Sequence, residues 1–554
     1  MANNSVTGDS FSPDYEGFVA TFELADITDL LAGDLDSGIN VCYEACDRWA
    51  EFDRVALNWE GNDGDSTSLN FDELQESAAS FANFLIARGV EPGDQVACML
   101  PRIPELFIVA LGTWRAGAVY VPLFTAFGPK AIEYRLERSA AKLVVTDAIN
   151  RPKLDEIADA PPVMLVTRSA GEDVRVGDID FAQAMSEQST DFGPVMLTGE
   201  DPFIMMFTSG TVGSAKGVKV PVRALADIIV YMRYGIGLRD DDRFWNMADP
   251  GWAYGLFYAV VGPLVLGQTT HFYEGAFSPE SCYQMFEQYG ITALVSAPTA
   301  YRMMMAAGDE LADACDCRLR VACSGGEPLN PEVISWISEH LGCRVGDHYG
   351  QTEVGMVICN HHGLSHAMRL GSMGRAVPGF RMVILDENFE EVAPGGSGQI
   401  AIDIANSPLY HFQGYQGGAE SPLHGDYFLT GDTAELGSDG IFTFMGRADD
   451  VILSAGYRIG PFDVESCLIE HPAVVESAVI GKPDEERGEI VKAFVVLRAG
   501  YNGSPQQADE LRQLVRRRLS SHSYPREIEF VDALPKTPSG KVQRFILRSK
   551  EVGR

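Results

Sequence analysis

Short apolar runs alternate along most of the chain with longer segments whose apolar residues follow helical spacing. Residues 70–88 show helical spacing and stop at Gly89, whereas residues 95–100 form a short apolar run. The pattern continues with predicted helices at 40–49, 104–114 and 129–139 and predicted strands at 54–59, 118–123, 142–146, 164–166 and 203–207. Such alternation indicates parallel sheets covered by helices on both faces.

Three later predicted strands end in small or polar residues. The strand at 291–296 runs into Ala297, the strand at 318–323 runs towards Glu327, and the strand at 344–349 opens into residues 350–353. Open α/β sheets bind their ligands at the carboxyl ends of the strands. We therefore expect a binding site where these three strand ends meet.

The pattern changes twice in the C-terminal third. From Met382 short strands and Gly-rich turns predict a small β-rich unit, and residues 446–450 resemble a domain boundary. Beyond it, helices at 464–470 and 509–520 and strands at 474–480, 491–497 and 528–531 predict a separate α+β module. The predicted class is α/β: a large N-terminal region of several subdomains with mostly parallel sheets, the β-rich unit, and a C-terminal domain.

The charge is strongly negative. The formal net charge is -35, which argues against nucleic acid as a partner. From Asp450 onward 16 basic residues face 15 acidic ones, so the acidity lies in the preceding residues. Only 10 of the 43 basic residues are lysines, and an acidic, lysine-poor surface suits a high-salt cytoplasm. That remains a hypothesis about habitat.

Cellular location and thiol chemistry follow from simpler observations. The longest apolar run, residues 255–267, is too short to span a bilayer as a helix, and residues 1–18 lack the pattern of a signal peptide. The expected location is the cytoplasm. The ten cysteines include no CxxC pair and are interpreted as reduced structural thiols. His361, His362 and His366 are expected in a surface loop rather than as metal ligands.

The segment Thr208-Ser-Gly-Thr-Val-Gly-Ser-Ala-Lys-Gly217 follows an apolar strand and has the chemistry of a phosphate cradle. Glycines let backbone N–H groups approach an anion, hydroxyls donate to phosphate oxygens, and Lys216 adds a positive charge. Ala215 stands where the Walker loop requires glycine, so that motif is excluded. A solvated linker is the alternative for this segment taken alone.

Three further residues are candidates for binding. Glu353 could hold Mg²⁺, which prefers oxygen ligands supplemented by substrate phosphates. Asp432, in Thr430-Gly-Asp432, could accept hydrogen bonds from a ribose diol, although a turn carboxylate is the alternative. Trp252 follows a turn and could line a pocket or lie in the core.

Five motifs together resemble the adenylate-forming enzymes, which include acyl-CoA synthetases, adenylation domains and luciferases. They occur in that family's order over nearly the whole chain, and the chain is most similar to the medium-chain acyl-CoA synthetases. The motifs are the loop at 208–217, Gly350-Gln-Thr-Glu353, Thr430-Gly-Asp432, Gly446-Arg-Ala-Asp449 and Ser539-Gly-Lys541.

The resemblance implies a ligase that uses ATP, Mg²⁺ and CoA to convert a short- or medium-chain, or aromatic, carboxylic acid into its thioester through an acyl-adenylate. It implies an N-terminal domain at 1–448 and a mobile C-terminal domain at 449–554 that swings about Asp449. Lys541 would bridge the acyl carboxylate and the α-phosphate in the first half-reaction.

The remaining implied contacts fall into five groups. Thr211 and Glu353 would hold Mg²⁺, Asp432 the ribose, and Arg447 the ribose and phosphate. The phosphates would meet Thr208, Ser209, Gly210, Thr211, Gly213 and Lys216. Adenine and the acyl-adenylate would meet Glu327, Asp347, His348, Tyr349, Gly350, Gln351 and Thr352. CoA would meet Ala455, Gly456, Tyr457, Arg458, Arg487 and Arg516.

The acyl pocket is predicted from Gly350. Acetyl-CoA synthetases of this family carry tryptophan there, which shortens the pocket, so glycine is expected to leave room for an acid larger than acetate. Trp252 and Ala297 are candidates for the far wall. Val212 and Ala215 depart from the family's usual threonine and proline, which removes one hydroxyl from the phosphate loop.

Other functions remain open on the sequence. The chain could load a carrier protein instead of CoA, act on acetate or propionate, or bind nucleotide without catalysis. The arginines assigned to CoA argue against the first of these, and Lys541, Glu353, Asp432 and Arg447 argue against the last. The oligomeric state and the particular acid are left open.

Overall fold

The computed structural model describes residues 12–168, 172, 174–208, 215–417, 421–448, 450–454, 457–484, 487–520, 522–536 and 541–552, with the backbone alone at 457, 458 and 552. Strand and helix positions agree closely with the hydrophobic pattern. The helix expected at 70–88 is observed at Phe71–Ala87, and the strand expected at 344–349 at Val345–Gln351.

The strands divide into four sheets. In chain order they are β1 (Val55–Glu60), β2 (Ser66–Asn70), β3 (Gln95–Met99), β4 (Val119–Pro122), β5 (Leu143–Asp147), β6 (Val163–Val166), β7 (Ile179–Asp180), β8 (Pro202–Phe207), β9 (Gly217–Pro221), β10 (Phe244–Asn246), β11 (Thr270–Tyr273), β12 (Ala293–Ser296), β13 (Val321–Gly325), β14 (Val345–Gln351), β15 (Gly355–Cys359), β16 (Arg375–Ala376), β17 (Met382–Leu385), β18 (Ser397–Asp403), β19 (Leu423–His424), β20 (Tyr427–Leu436), β21 (Phe442–Arg447), β22 (Ile452–Ser454), β23 (Tyr457–Ile459), β24 (Val474–Asp484), β25 (Gly488–Leu497) and β26 (Glu527–Phe530).

The α-helices connect and cover these sheets. They are α1 (Tyr15–Thr21), α2 (Ala25–Thr28), α3 (Val41–Ala45), α4 (Phe71–Ala87), α5 (Pro104–Arg115), α6 (Pro129–Ser139), α7 (Phe181–Ser186), α8 (Ala224–Val230), α9 (Ala253–Gly255), α10 (Gly262–Val265), α11 (Pro279–Tyr289), α12 (Pro298–Ala306), α13 (Asp309–Ala314), α14 (Pro331–Leu341), α15 (Pro461–Ile469), α16 (Pro505–Arg518) and α17 (Arg544–Val552). Short 3₁₀ turns lie at Asp47–Trp49, Arg151–Glu156 and Ile404–Asn406, and π-helical turns at Tyr231–Gly235 and Leu256–Val261.

Two large sheets form the N-terminal part, and both are mostly parallel. One has the order β7-β6-β5-β3-β4-β8-β9 and the other β16-β15-β14-β13-β12-β10-β11-β1-β2. Antiparallel pairing is confined to their edges, at β8–β9, β1–β2, β14–β15 and β15–β16. The predicted α/β class with parallel sheets is confirmed.

The two smaller sheets also match the expected classes. Strands β17 to β21 form an antiparallel sheet, which is the β-rich unit. Strands β22 to β26 form a mixed sheet that packs with α15, α16 and α17 in the C-terminal module. The swing of this module stays a prediction, and its expected pivot, Asp449, lies outside the described residues.

Local signals in the sequence explain where the elements near the site begin and end. Helix α14 starts with Pro331, whose missing N–H costs nothing in a first helical turn, and stops at Gly342, whose φ is +74°. Because α14 follows β13 through residues 326–330, this short connection holds Glu327 at the carboxyl end of the strand.

The cysteines are free and mostly buried, as expected for structural thiols, whereas the surface position expected for His361 is wrong. Each of the ten cysteines is a free thiol, and all but Cys317 are buried. His361 is fully buried rather than in a surface loop, and burial lowers its pKa to about 3. Its ring contacts the Ala376 carbonyl at 3.2 Å, so packing and not ligand binding explains it. Among the described helices, none is both long and apolar enough to cross a membrane.

Candidate active site

A cavity of about 610 Å³ lies at the carboxyl ends of β13 and β14, enclosed by the β-rich unit and the C-terminal module. This volume falls within the range of roughly 300–1,000 Å³ typical of small-molecule sites. Most of the predicted binding residues within the described part of the chain line it: Thr208, Lys216, Glu327, Asp347, His348, Tyr349, Gly350, Gln351, Thr352, Glu353, Asp432, Arg447 and Lys541.

Asp432 forms the centre of one wall. It lies on β20 opposite Arg447 on β21, and its Oδ1 is 3.4 Å from Arg447 Nη1. Its Oδ2 accepts hydrogen bonds from Tyr349 Oη at 2.6 Å and from Gln351 Nε2 at 2.9 Å. Burial raises the pKa of Asp432, while Arg447 and the two hydrogen bonds oppose that shift. The carboxylate is thus fixed in orientation with a buried acceptor edge.

The phosphate loop is anchored at its base. Strands β8 and β9 pair antiparallel, and Thr208 N donates to the Lys216 carbonyl at 2.9 Å. Tyr134 Oη donates to the Ala215 carbonyl at 2.8 Å. Residues 209–214, which include the predicted Ser209, Gly210, Thr211 and Gly213, lie outside the described residues.

Tyr415 connects the loop to the predicted metal ligand, and no pattern in the sequence predicts this role. Its hydroxyl donates to Glu353 Oε1 at 2.8 Å, and Lys216 Nζ lies 4.4 Å from the centroid of its ring. Its backbone bridges to Val218 on β9, which holds the ring beside the loop. Burial raises the pKa of Glu353, whereas the hydrogen bond from Tyr415 lowers it.

Two acidic residues face the cavity from neighbouring strands: Glu327 follows β13, and Asp347 lies within β14. Glu327 accepts a hydrogen bond from Arg302 Nη2 at 2.9 Å, and Arg302 also lines the cavity. Asp347 Oδ2 accepts from Leu329 N at 3.2 Å, while its Oδ1 has no partner among the described residues. Burial raises the pKa of Asp347 to about 8, so this side chain can offer a proton as well as accept one.

The C-terminal module contributes the remaining wall. Lys541 lines the same cavity as Asp432, and its charge lowers the pKa of that carboxyl. Just beyond it, Arg544 Nη2 donates to both carboxylate oxygens of Glu465, at 2.7 and 2.8 Å, and Arg548 pairs with Asp450. These pairs tie the segment after Lys541 to α15 and to the start of the module.

Several predicted residues lie elsewhere. Arg487 and Arg516 do not line the cavity. Arg516 is exposed, and its Cζ lies over the Tyr524 ring, 5.8 Å from the ring centroid. Ala455 and Gly456 lie outside the described residues, and of Tyr457 and Arg458 only the backbone, in β23, is described. Their assignment to CoA stays a prediction.

The proposed far wall of the acyl pocket is also away from this cavity. Trp252 packs against Phe124 and Phe127, with ring centroids 5.4 and 5.5 Å apart, and lines a separate void of about 10 Å³. Ala297 precedes α12 and is absent from the described cavity wall. The role of both in acid binding remains untested.

The expectation that Gly350 leaves open space is wrong. A Cβ added at Gly350 would lie 2.2 Å from the Gly355 carbonyl oxygen and 2.7 Å from Met356 Cα and Sδ. Real Cβ atoms essentially never approach other atoms this closely, so β15 already fills the space. The sequence could not reveal this because it depends on the bulge where β14 pairs with β15 between Tyr349 and Gly350.

Fold and cavity together define an enzyme of the adenylate-forming class. The family model described as "AMP-binding enzyme" matches residues 43–415, and that described as "AMP-binding enzyme C-terminal domain" matches residues 463–541. The chain therefore belongs to the AMP-binding enzymes.

Proteins of similar sequence match this chain over nearly its whole length. It is 38% identical to acetyl-coenzyme A synthetase of Bacillus subtilis over 99% of this chain and 97% of that protein. It is 36% identical to a mitochondrial acyl-coenzyme A synthetase of Mus musculus, over 94% of this chain and 92% of the relative.

Solved structures share the fold. An acyl-CoA synthetase of Brucella canis is 54% identical with a TM-score of 0.80, over 98% of this chain and 99% of that one. A benzoate CoA ligase of Burkholderia xenovorans LB400 is 27% identical with a TM-score of 0.80, over 92% and 100%.

Proposed function

We propose that this protein is an AMP-forming carboxylate–CoA ligase. A short- or medium-chain, or aromatic, acid attacks the α-phosphate of ATP to give an acyl-adenylate and pyrophosphate, and the CoA thiol then displaces AMP to give the thioester. The observation that carries the proposal is the single cavity shared by Lys541, Asp432 and Glu353, which come from three separate parts of the chain. The relatives in sequence are acetyl- and acyl-coenzyme A synthetases, which supports the same reaction.

The first half-reaction brings two anions together, so positioned cations must offset their repulsion. Lys216 and Thr208 would hold the outer phosphates, Asp432 the ribose hydroxyls, and Arg447 the ribose and phosphate. Lys541 would neutralise the acyl carboxylate and the α-phosphate as the new P–O bond forms. Adenine would lie against Glu327 and residues 347–352.

The residues fit Mg²⁺ as the accompanying metal. Within the described part of the chain, no group of three or more His, Cys, Asp or Glu side chains could hold a metal ion. Mg²⁺ needs only one or two protein oxygens beside substrate phosphates, and Glu353 with Thr211 supplies them. When bound, the ion would neutralise phosphate charge and favour the leaving pyrophosphate.

The second half-reaction requires a change at the same site. We propose that the domain at 449–554 turns about Asp449, withdraws Lys541, and brings Ala455 to Arg458 to the adenylate. The arrangement in which Lys541 lines the cavity suits the first half-reaction. Arg487 and Arg516, away from the cavity, would meet the CoA phosphates after the turn.

One assay distinguishes a CoA ligase from an enzyme that loads a carrier protein. Pyrophosphate release from ATP is measured for a panel of carboxylic acids, with and without CoA. Free acyl-CoA supports the ligase, whereas adenylate that accumulates and is released only to a carrier protein supports a loading enzyme. We further propose a cytoplasmic location for the reaction.

Replacing Arg458 with alanine is expected to raise the KM for CoA about tenfold, because one charge-assisted hydrogen bond to a phosphate is lost. Adenylate formation should be nearly unchanged. Steady-state kinetics at varied CoA, together with pyrophosphate release in its absence, check this. Arg517→Ala, an exposed arginine of the same module, is the control. Loss of adenylation with an unchanged KM for CoA would refute the assignment.

Tyr415→Phe is expected to raise the Mg²⁺ concentration needed for half-maximal adenylation by a few-fold. The hydrogen bond from Tyr415 lowers the pKa of Glu353, so its loss raises that pKa further. Since Glu353 must be ionised to bind the ion, activity should be lost at a higher pH as the solution is acidified. Mg²⁺ titrations and pH profiles of adenylation check this.

Tyr427→Phe is the matched control for that variant, because it removes a tyrosine hydrogen bond of 2.9 Å to the distant Glu391. If Tyr415→Phe needs no more Mg²⁺ and loses activity at the same acidic pH as the unmodified protein, Tyr415 does not position Glu353 for the metal.

A further inference from the structure

This inference rests on the proposed function and concerns a positive charge buried behind the phosphate loop. Helix α6 carries Arg135, which is only 7% exposed. A buried charge is costly unless an opposite charge compensates it. Among the described residues Arg135 has no carboxylate partner, and its Nη1 donates to the Ala131 carbonyl of its own helix at 2.8 Å. This uncompensated cation requires an explanation.

The equally buried Arg115 shows the usual arrangement. It is 5% exposed, and its Nη1 donates to both carboxylate oxygens of Asp47 at 2.6 and 2.7 Å. Arg135 lies against aromatic rings instead, with Cζ 4.0 Å from the centroid of Phe127 and 5.7 Å from that of Phe207. An aromatic face attracts a cation without cancelling its charge. Burial lowers the pKa of Arg135 to about 10, so the guanidinium stays charged at neutral pH.

The guanidinium lies one layer behind the wall of the active-site cavity. Arg135, Phe207 and Thr352 line the same void of about 10 Å³, and Thr352 also lines the cavity. Phe207 is the last residue of β8, and Thr208, the first residue of the phosphate loop, follows it directly. A void of this size has room for about one water molecule, so little solvent screens the charge from the loop.

Helix α6 fixes this charge relative to the base of the loop. Tyr134, the neighbour of Arg135 on the helix, donates its hydroxyl to the Ala215 carbonyl at 2.8 Å. We propose that Arg135 supplies an uncompensated positive charge that strengthens the binding of the outer phosphates of ATP, and of pyrophosphate, without contacting them. When ATP binds, the negative phosphates compensate the buried charge. Arg135 is thus a supporting residue of the phosphate site and takes no part in the chemical step.

This location predicts a selective effect among nucleotides. Thr208 and Lys216 are proposed to hold the outer phosphates, which AMP lacks. The charge of Arg135 should therefore favour ATP and pyrophosphate much more than AMP, because Coulomb interactions weaken with distance. A side chain that served packing alone would not distinguish the two nucleotides.

The test titrates the full chain with ATP and with AMP, in the presence of Mg²⁺ and the absence of acid, by isothermal calorimetry. Arg135→Gln should raise the Kd for ATP roughly five- to tenfold and the Kd for AMP less than about twofold. Arg135→Lys keeps the charge and should bind ATP within about twofold of the unmodified protein. Arg138→Gln is the matched control: this exposed arginine lies on the same helix and should leave both values unchanged.

Thermal unfolding of the unliganded protein provides a second readout. Methionine fills space similar to that of arginine and removes a buried charge that has no partner, so Arg135→Met should leave the Tm unchanged or raise it. The same variant should weaken ATP binding as Arg135→Gln does. If Arg135→Gln fails to fold, Arg135→Met decides the question of binding.

Unchanged ATP affinity in the folded neutral variant would overturn the proposal. Equal weakening of ATP and AMP would also overturn it, because Arg135 would then serve packing alone, as would Arg135→Lys that binds ATP as weakly as the neutral variant. Each of these results leaves the ligase reaction intact. Failure of the unmodified protein to release pyrophosphate with every acid would instead overturn the proposed function, so the two failures are distinguishable.

Discussion

Lys541→Ala is expected to reduce pyrophosphate release from acid and ATP by roughly 10²–10³-fold, the cost of removing one positioned group that stabilises transition-state charge. Lys541 lines the cavity and its charge reaches Asp432. Of the other lysines in the described cavity wall, Lys216 lies at the phosphate loop and Lys536 is paired with Glu476. The same variant should still convert pre-formed acyl-AMP and CoA to thioester at nearly the original rate.

The two half-reactions are followed separately, by pyrophosphate release and by thioester formation from synthetic adenylate. Lys550→Ala, an exposed lysine on α17, is the control and should leave both rates unchanged. Equal loss of both half-reactions in Lys541→Ala would show that the lysine supports the structure of the site rather than the first step alone.

Asp432→Ala is expected to raise the KM for ATP about 100-fold, because hydrogen bonds to a charged acceptor are among the stronger ones in proteins. The substitution removes the predicted ribose acceptor and leaves the Tyr349 hydroxyl and the Gln351 amide without their shared partner. Direct titration with ATP measures the loss without reliance on turnover.

Glu435→Ala is the matched control, since this exposed carboxylate lies on the same strand. Tyr349→Phe distinguishes the ribose contact from orientation of the carboxylate, and should weaken ATP binding less than Asp432→Ala. Unchanged ATP affinity in Asp432→Ala would contradict the placement of the ribose at this carboxylate.

Residues at strand ends could be predicted well from the sequence. A buried parallel strand is a short apolar run, and its end is marked by the first glycine or polar residue. The apolar run of β13 and the strand expected at 344–349 place Glu327 and residues 350–353 at one edge of a sheet, and these residues do line one cavity. Asp432, Arg447 and Lys541 are instead assigned to the site from the order of the family's motifs, and they line the same cavity.

Contacts between distant elements could not be predicted. Tyr415 meets Glu353 and Lys216 only because its backbone pairs with β9, and nothing in its local sequence indicates this. The error at Gly350 has the same origin. A glycine in a sequence suggests free space, but here Met356 enters from the antiparallel neighbour strand. Tyr254 likewise reaches the end of β13 from α9.

The phosphorus products of ATP distinguish activation of the acid by adenylation from activation by phosphorylation. The protein is incubated with ATP, Mg²⁺, CoA and a short carboxylic acid, and the products are resolved by ³¹P NMR beside a thioester assay. We predict AMP, pyrophosphate and acyl-CoA in equal amounts, with an ¹⁸O label of the acid carboxylate carried into AMP. Formation of ADP and phosphate with the thioester would mean activation through an acyl phosphate and would rule out the adenylation mechanism.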